Sequence, residues 1–177
     1  MYWTAVRHNE AIFQGQIGAL MTQIVDWGPD MWKVLHTCAE HAGSSILHLD
    51  EARAWMKLLK ITEGALPCAT CRTHYKEWLK ANPVDEFLGL RGERLQGAIR
   101  LWLWRLHESV NARKQEPVHF PYEEVGIYKE VSPAELTRTL DKLKKTFDTA
   151  VLYRQVNITA VKEWRLAISL LRKLNSF

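Results

Sequence analysis

The side chains best suited to covalent chemistry crowd into Leu66-Pro67-Cys68-Ala69-Thr70-Cys71-Arg72-Thr73-His74. Two of the chain's 3 cysteines stand there, three positions apart and directly after a proline. Proline suits the first turn of a helix, so Cys68 and Cys71 are expected where backbone N–H groups lack a helical partner. That end of a helix carries partial positive charge, which favours thiolate over thiol. A C-x-x-C pair in such a place opens and closes as a disulfide with little backbone movement.

Other chemistries compete for the same residues. A thioredoxin-type site needs a strand before the pair and a parallel sheet around it, and neither is visible. Covalent haem attachment needs His directly after the second cysteine, where this chain has Arg72. Zinc is the stronger competitor, because Cys68, Cys71 and His74 supply three ligands and His36, His107 or Cys38 a fourth. On that reading the chain is a non-enzymatic, zinc-stabilised helical interaction module.

The elements that must position these groups are all helical. Phe13, Ile17, Leu20, Met21 and Ile24 recur at helical spacing over residues 10–25. Gly28 is expected as the N-cap of the next helix, with Pro29 at its first position. That helix runs to about Ala42, buries Met31, Leu35, Cys38, Ala39 and Ala42, and stops at a left-handed Gly43. Asp50 caps a helix carrying Trp55, Leu58 and Leu59 that ends near Gly64. The C-x-x-C helix continues through Tyr75, Trp78 and Leu79 to Asn82-Pro83. A further helix from about Glu93 to Arg113 aligns Leu95, Ile99, Trp102, Leu106 and Val110. Residues 115–131 read as a loop, and Ser132-Pro133-Ala134-Glu135 as a capping box. The helix that follows shows Leu136, Leu140, Leu143 and Phe147, and a last one near Asn157 shows Val161, Trp164, Ile168, Leu171 and Leu174. No segment alternates as a strand, so the fold class is all-α.

Composition narrows the function. With 177 residues, 47% hydrophobic and 25% charged, the chain is long enough for a substantial core without staples. Three cysteines do not make a stapled secreted scaffold. No apolar run approaches the roughly 20 residues that span a bilayer, and the start lacks a basic segment followed by an apolar one. Neither a membrane partner nor a signal peptide is expected. The net charge of +4 is uneven, with +6 from Leu136 onward and −2 before it. Those basic residues are spread rather than clustered, so they read as a solvated helix face and not as a nucleic-acid site.

Individually bland features line up in order. Trp27-Gly28-Pro29-x-x-Trp32-x-x-Leu35-His36-x-x-Ala39 precedes Pro67-Cys68-x-x-Cys71-x-x-His74 and Asn82-Pro83. Then come Trp102-x-x-x-x-His107-x-x-Val110-Asn111-x-Arg113 and Tyr122-Glu123-Glu124-Val125. This series resembles the Erv/ALR family of FAD-linked sulfhydryl oxidases, particularly the compact forms of large DNA viruses, from about Trp27 to Val125.

The resemblance implies a four-helix bundle with a short fifth helix, flanked by N- and C-terminal helices. It divides the chain into an N-terminal extension (1–26), an FAD-binding oxidase domain (27–130) and a C-terminal extension (131–177) that packs on the core or a dimer interface. By similarity, Cys68 is the interchange cysteine and Cys71 the flavin-proximal one. Gly28, Trp32, His36, Cys71, His74, Tyr75, His107, Val110, Asn111, Arg113 and Lys114 are the residues implied to bind FAD, with no metal. The implied activity forms disulfides in protein thiol substrates, or in a separate redox shuttle protein, with oxygen as acceptor and hydrogen peroxide as product. A homodimer is implied as well. The compartments implied are the host cytoplasm or virion, the mitochondrial intermembrane space or the endoplasmic reticulum.

The chain departs from the family at three points. Trp104 stands where many cellular members have a cysteine of a structural disulfide, so packing must substitute for that bridge. Glu108 replaces the asparagine that commonly follows the histidine, and Lys114-Gln115-Glu116-Pro117 replaces a Leu-Gly-Lys-Pro ending.

Overall fold

The computed structural model describes residues 27–114 and 120–177. The helix expected over residues 10–25, and Gln115 to Pro117, lie outside the described residues. Among those described, every regular element is helical. In chain order these are α1 (Trp27–Glu40), α2 (His48–Ala65), α3 (Ala69–Ala81), a 3-10 helix (Asp85–Gly89), α4 (Glu93–Lys114), a second 3-10 helix (Tyr122–Glu130), α5 (Pro133–Leu152) and α6 (Ile158–Leu174). None is long and apolar enough to cross a membrane.

The expected apolar faces form the core. Met31, Leu35, Cys38 and Ala39 of α1, Trp55, Leu58 and Leu59 of α2, and Leu95, Ile99, Trp102 and Leu106 of α4 are all buried. Burial on α1 goes further, taking in Val34, His36, Thr37 and Glu40. The helix packs against α4, α5 and the second 3-10 helix together, which leaves little of it to face water. The last two helices are not peripheral. α6 lies along α2 and α5 along α1, and their Val161, Trp164, Ile168, Leu143 and Phe147 join the same hydrophobic cluster. Trp164 donates its indole N–H to Thr62 Oγ1 on α2 at 3.1 Å.

Several helix boundaries differ from expectation. α1 already includes Trp27 and Gly28, so Gly28 is a helical residue and not the cap. Asp50 sits inside the first turn of α2, which begins at His48 after Leu47 and has no side-chain cap. The carboxylate is still well placed for the helix dipole, and that dipole, not capping, accounts for an acidic residue there. At Ser132 half of the expected box forms: Ser132 Oγ accepts from the Glu135 N–H at 3.2 Å. The Glu135 carboxylate instead takes Lys33 Nζ of α1 at 2.7 Å, an ion pair that pins α5 to α1. Residues 122–130, within the expected loop, form the second 3-10 helix, whose three-residue turn leaves no 3.6-residue pattern to read.

Gly43 ends the α1 turn with φ of +83°, as its left-handed role requires. A Cβ there would also collide with the Gly92 carbonyl at the start of α4. Gly43→Ala is therefore expected to destabilise the protein by about 2 kcal/mol or more, from backbone strain and collision together. Urea unfolding would show the drop as a lower midpoint at unchanged slope.

Candidate functional site

The C-x-x-C pair forms a disulfide, with Cα atoms 5.1 Å apart. The local path that places it starts at Leu66, which ends α2 in extended geometry because Pro67 follows. Pro67 is thus two residues ahead of the first helical residue, Ala69, and not in the first turn. Cys68 is the N-cap of α3, and its Sγ accepts the Cys71 N–H at 3.2 Å. Arg72 secures the elbow by donating from its guanidinium to the Leu66 carbonyl at 2.6 Å. Cys71 consequently lies at the third helical position, where the positive helix end stabilises a thiolate. Both cysteines are half-buried.

α4 lies beside this helix and is joined to it by specific contacts. His74, one turn after Cys71, shares a hydrogen bond of 3.1 Å with Ser109. Arg113 donates to Glu77 at 3.1 Å. The rings of Tyr75 and Trp78 meet Trp102 edge-on at 6.2 and 6.1 Å. The His74–Ser109 bond brings the head of α3 alongside the turn of α4 that carries His107.

The rings expected to line the cofactor do converge. Trp32 and His107 stack at 4.1 Å between centroids, and His36 stands 6.0 Å from the first and 5.6 Å from the second. The register that brings them together is set two turns away. Buried Glu40 of α1 pairs with Arg100 of α4 at 2.7 Å, and Gln96 donates to the Glu40 carbonyl at 2.6 Å. Running antiparallel from that anchor, α1 reaches His36 and Trp32 where α4 reaches His107.

His36 is the most unusual member of the group. It is 1% exposed, and neither ring nitrogen has a hydrogen-bond partner among the described residues. Burial, followed by the charges of His107 and Arg100, pushes its imidazole down to about 3, so the ring is neutral at neutral pH. A buried polar atom without a partner costs about 1–3 kcal/mol, and this ring leaves two such atoms.

The other expected residues are placed less uniformly. Gly28, Val110 and Asn111 are half-buried around the same helices, and Arg113 and Lys114 are exposed at the C-terminal end of α4. The Tyr75 hydroxyl is spent on the Leu59 carbonyl at 2.8 Å, and burial pushes its ionisation upward. His74 is lowered by burial first and by the Arg113 charge second. Among the described residues, no three His, Cys, Asp or Glu side chains gather to hold a metal ion. Cys68 and Cys71 are bonded to each other and offer no thiolate, so this arrangement does not supply the zinc ligands of the competing reading.

Two contributors escaped the sequence reading. Tyr128, in the second 3-10 helix, stacks on His36 at 4.8 Å with ring planes 16° apart. It falls just past Val125, where the recognisable pattern ended. Ser109 carries no signal beyond lying two residues from His107. Trp104, at the position of the missing cysteine, donates its indole N–H to the Phe120 carbonyl at 2.8 Å and meets Tyr122 edge-on at 5.6 Å. Arg100 lies 5.7 Å over the same Tyr122 ring. The returning segment is held here by packing, as the substitution demands. Cys38 is fully buried on α1, and burial, partly offset by Arg172, pushes its thiol up to about 12, which leaves it unreactive.

Comparison with known proteins agrees with this geometry. The pattern of the Erv1 / Alr family matches residues 29–128. A protein of Oryza sativa subsp. japonica named "FAD-linked sulfhydryl oxidase ERV1" is 34% identical over 99 residues, or 56% of this chain and 46% of the relative. The chain thus spans less than half the length of the rice protein. Two African swine fever virus isolates each supply a protein named "FAD-linked sulfhydryl oxidase". One is 26% identical over 124 residues, covering 70% of this chain and 94% of the relative. The other is 27% identical over 107 residues, covering 60% and 83%. No solved structure matches the chain. A family pattern that spans more than half of the sequence, on a helical fold with its C-x-x-C paired, establishes that the chain belongs to the Erv1 / Alr family.

Proposed function

We propose that this chain is an FAD-linked thiol oxidase that makes disulfides in protein substrates and delivers the electrons to oxygen, giving hydrogen peroxide. The observation that carries this reading is the Cys68–Cys71 disulfide at the head of α3. A substrate thiolate attacks Cys68 Sγ, the Cys68–Cys71 bond breaks, and Cys71 leaves as a thiolate. The positive end of α3 lowers the cost of that leaving group. A second substrate thiolate then attacks the substrate sulfur of the mixed disulfide and releases Cys68. The product is a substrate disulfide, and its two electrons now reside on the reduced cysteine pair. His74 and Ser109 hold the head of α3 against α4 throughout.

The residues present fit FAD. Trp32, His36, His107 and Tyr128 offer a cluster of flat faces, His36 adds two unpartnered buried nitrogens, and Arg113 and Lys114 offer positive charge for a pyrophosphate. When bound, FAD supplies a two-electron acceptor that oxygen can reoxidise. Homodimer formation belongs to the same proposal, and exposed Ile46, Leu47 and Leu49 beyond the end of α1 are apolar surface for it to cover.

Purified protein is expected to be yellow, to carry flavin near one equivalent, and to oxidise dithiothreitol while consuming oxygen. Colourless protein holding stoichiometric zinc would refute the proposal. His107→Ala removes one stacked ring and is expected to weaken FAD retention by roughly 3- to 10-fold. Flavin absorbance after dialysis, with helicity checked by circular dichroism, measures this. Undiminished flavin content would take His107 out of the binding site.

A further inference from the structure

A surface groove with Arg72 of α3 in its wall has no part in the chemistry above. It encloses about 560 Å³ between Gly64 at the end of α2, Arg72 in the first turn of α3, and Val151, Arg154, Gln155 and Ile158 around the α5–α6 turn. Arg72 belongs to the first turn of α3, so one wall of the groove is carried by the helix whose N-terminus bears the sulfur pair. Its far wall comes from residues beyond the span that the family pattern matches.

This wall is built, not incidental. The Arg154 N–H donates to the Val151 carbonyl at 3.0 Å and the Gln155 N–H to the Ala150 carbonyl at 2.8 Å, which closes a tight turn. Arg154 sits at φ of +57°, a conformation that non-glycine residues rarely hold without support. At the opposite side, a Cβ added to Gly64 would come within 3.0 Å of Ala160 Cβ, so α2 and the start of α6 touch at the edge of the groove.

Two features describe the occupant. Both charged residues among the described ones that line the groove are arginines. Arg72 is tied to the Leu66 carbonyl, which leaves Arg154 as the cation nearer solvent. Ile158, which lines the groove, is 51% exposed, and Leu152 and Tyr153 on the preceding turn are 75% and 47% exposed. Positive charge beside exposed apolar side chains matches an extended peptide rich in carboxylates. We infer that this groove docks the cysteine-bearing segment of a protein substrate whose flanking residues are acidic, an inference that rests on the thiol-oxidase reading. A small dithiol gains nothing from such a surface, whereas a protein thiol is delivered to Cys68 by it.

Fluorescein-labelled peptides with serine in place of cysteine test docking without exchange chemistry. A glutamate-flanked and a lysine-flanked version are compared by anisotropy on the full chain. The acidic peptide is expected to bind about fivefold tighter, and Arg154→Glu to reverse that preference. Equal binding of the two peptides, or an acidic preference untouched by both Arg154→Glu and Arg154→Ala, overturns the inference. Dithiothreitol turnover by the flavin-loaded wild type is measured in parallel. Its absence would overturn the oxidase reading, and that result is distinct from any peptide outcome.

Discussion

Cys71→Ser is expected to cut dithiothreitol oxidation by roughly 1,000-fold or more while flavin content and helicity stay at wild-type levels. The size of the effect follows from what the residue does. Serine forms no bond to Cys68, so the incoming thiolate has no S–S bond to break and no leaving group at the head of α3. Residual turnover would have to pair Cys68 with a different cysteine, and the only other one is Cys38. Cys38 is 1% exposed, and its thiol is pushed up to about 12. The fold does not depend on the lost bond, because the cysteines are only three positions apart and closing so short a loop constrains the unfolded chain little. Turnover at near wild-type rates would mean that the pair is structural.

Trp164→Ala carries the largest expected loss of stability, about 3–5 kcal/mol. The indole is fully buried, meets Phe147 edge-on at 5.4 Å and donates to Thr62 on α2. A solvent-open pocket of about 140 Å³ borders the indole, and the deletion would extend it into the core. At roughly 2–4 °C per kcal/mol for a chain of this size, thermal unfolding should fall by on the order of 10 °C. The measurement decides whether α5 and α6 are an appendage or part of the core. A loss below about 1 kcal/mol would mean that they unfold separately from α2.

Helix faces were legible because their signal is local. Leu95, Ile99, Trp102 and Leu106 announce one buried stripe by spacing alone, and all four are buried. Trp32, His36 and His107 were legible as a set through family pattern, since nothing in the spacing of α1 reveals what α4 places opposite. Contacts between distant segments left no trace. Trp164 and Thr62 lie 102 positions apart, and neither residue type names its partner. Tyr128 was missed for a similar reason, because it reaches His36 from a 3-10 helix with no periodic signature. Asp50 lies three residues past the cap at Leu47 and Gly28 already lies inside α1, because helix ends carry a weaker local signal than helix faces.

The indole clasp at Trp104 has a bearing on durability. On the proposed function, the protein meets thiols able to unpick sulfur bridges elsewhere in its own framework. Here the sequence holds 3 cysteines, two bonded to each other and one buried, so the segment returning at Phe120 is fastened by an N–H donor and ring contacts that no reductant attacks. Excess dithiol therefore empties the reactive pair without loosening the frame around it.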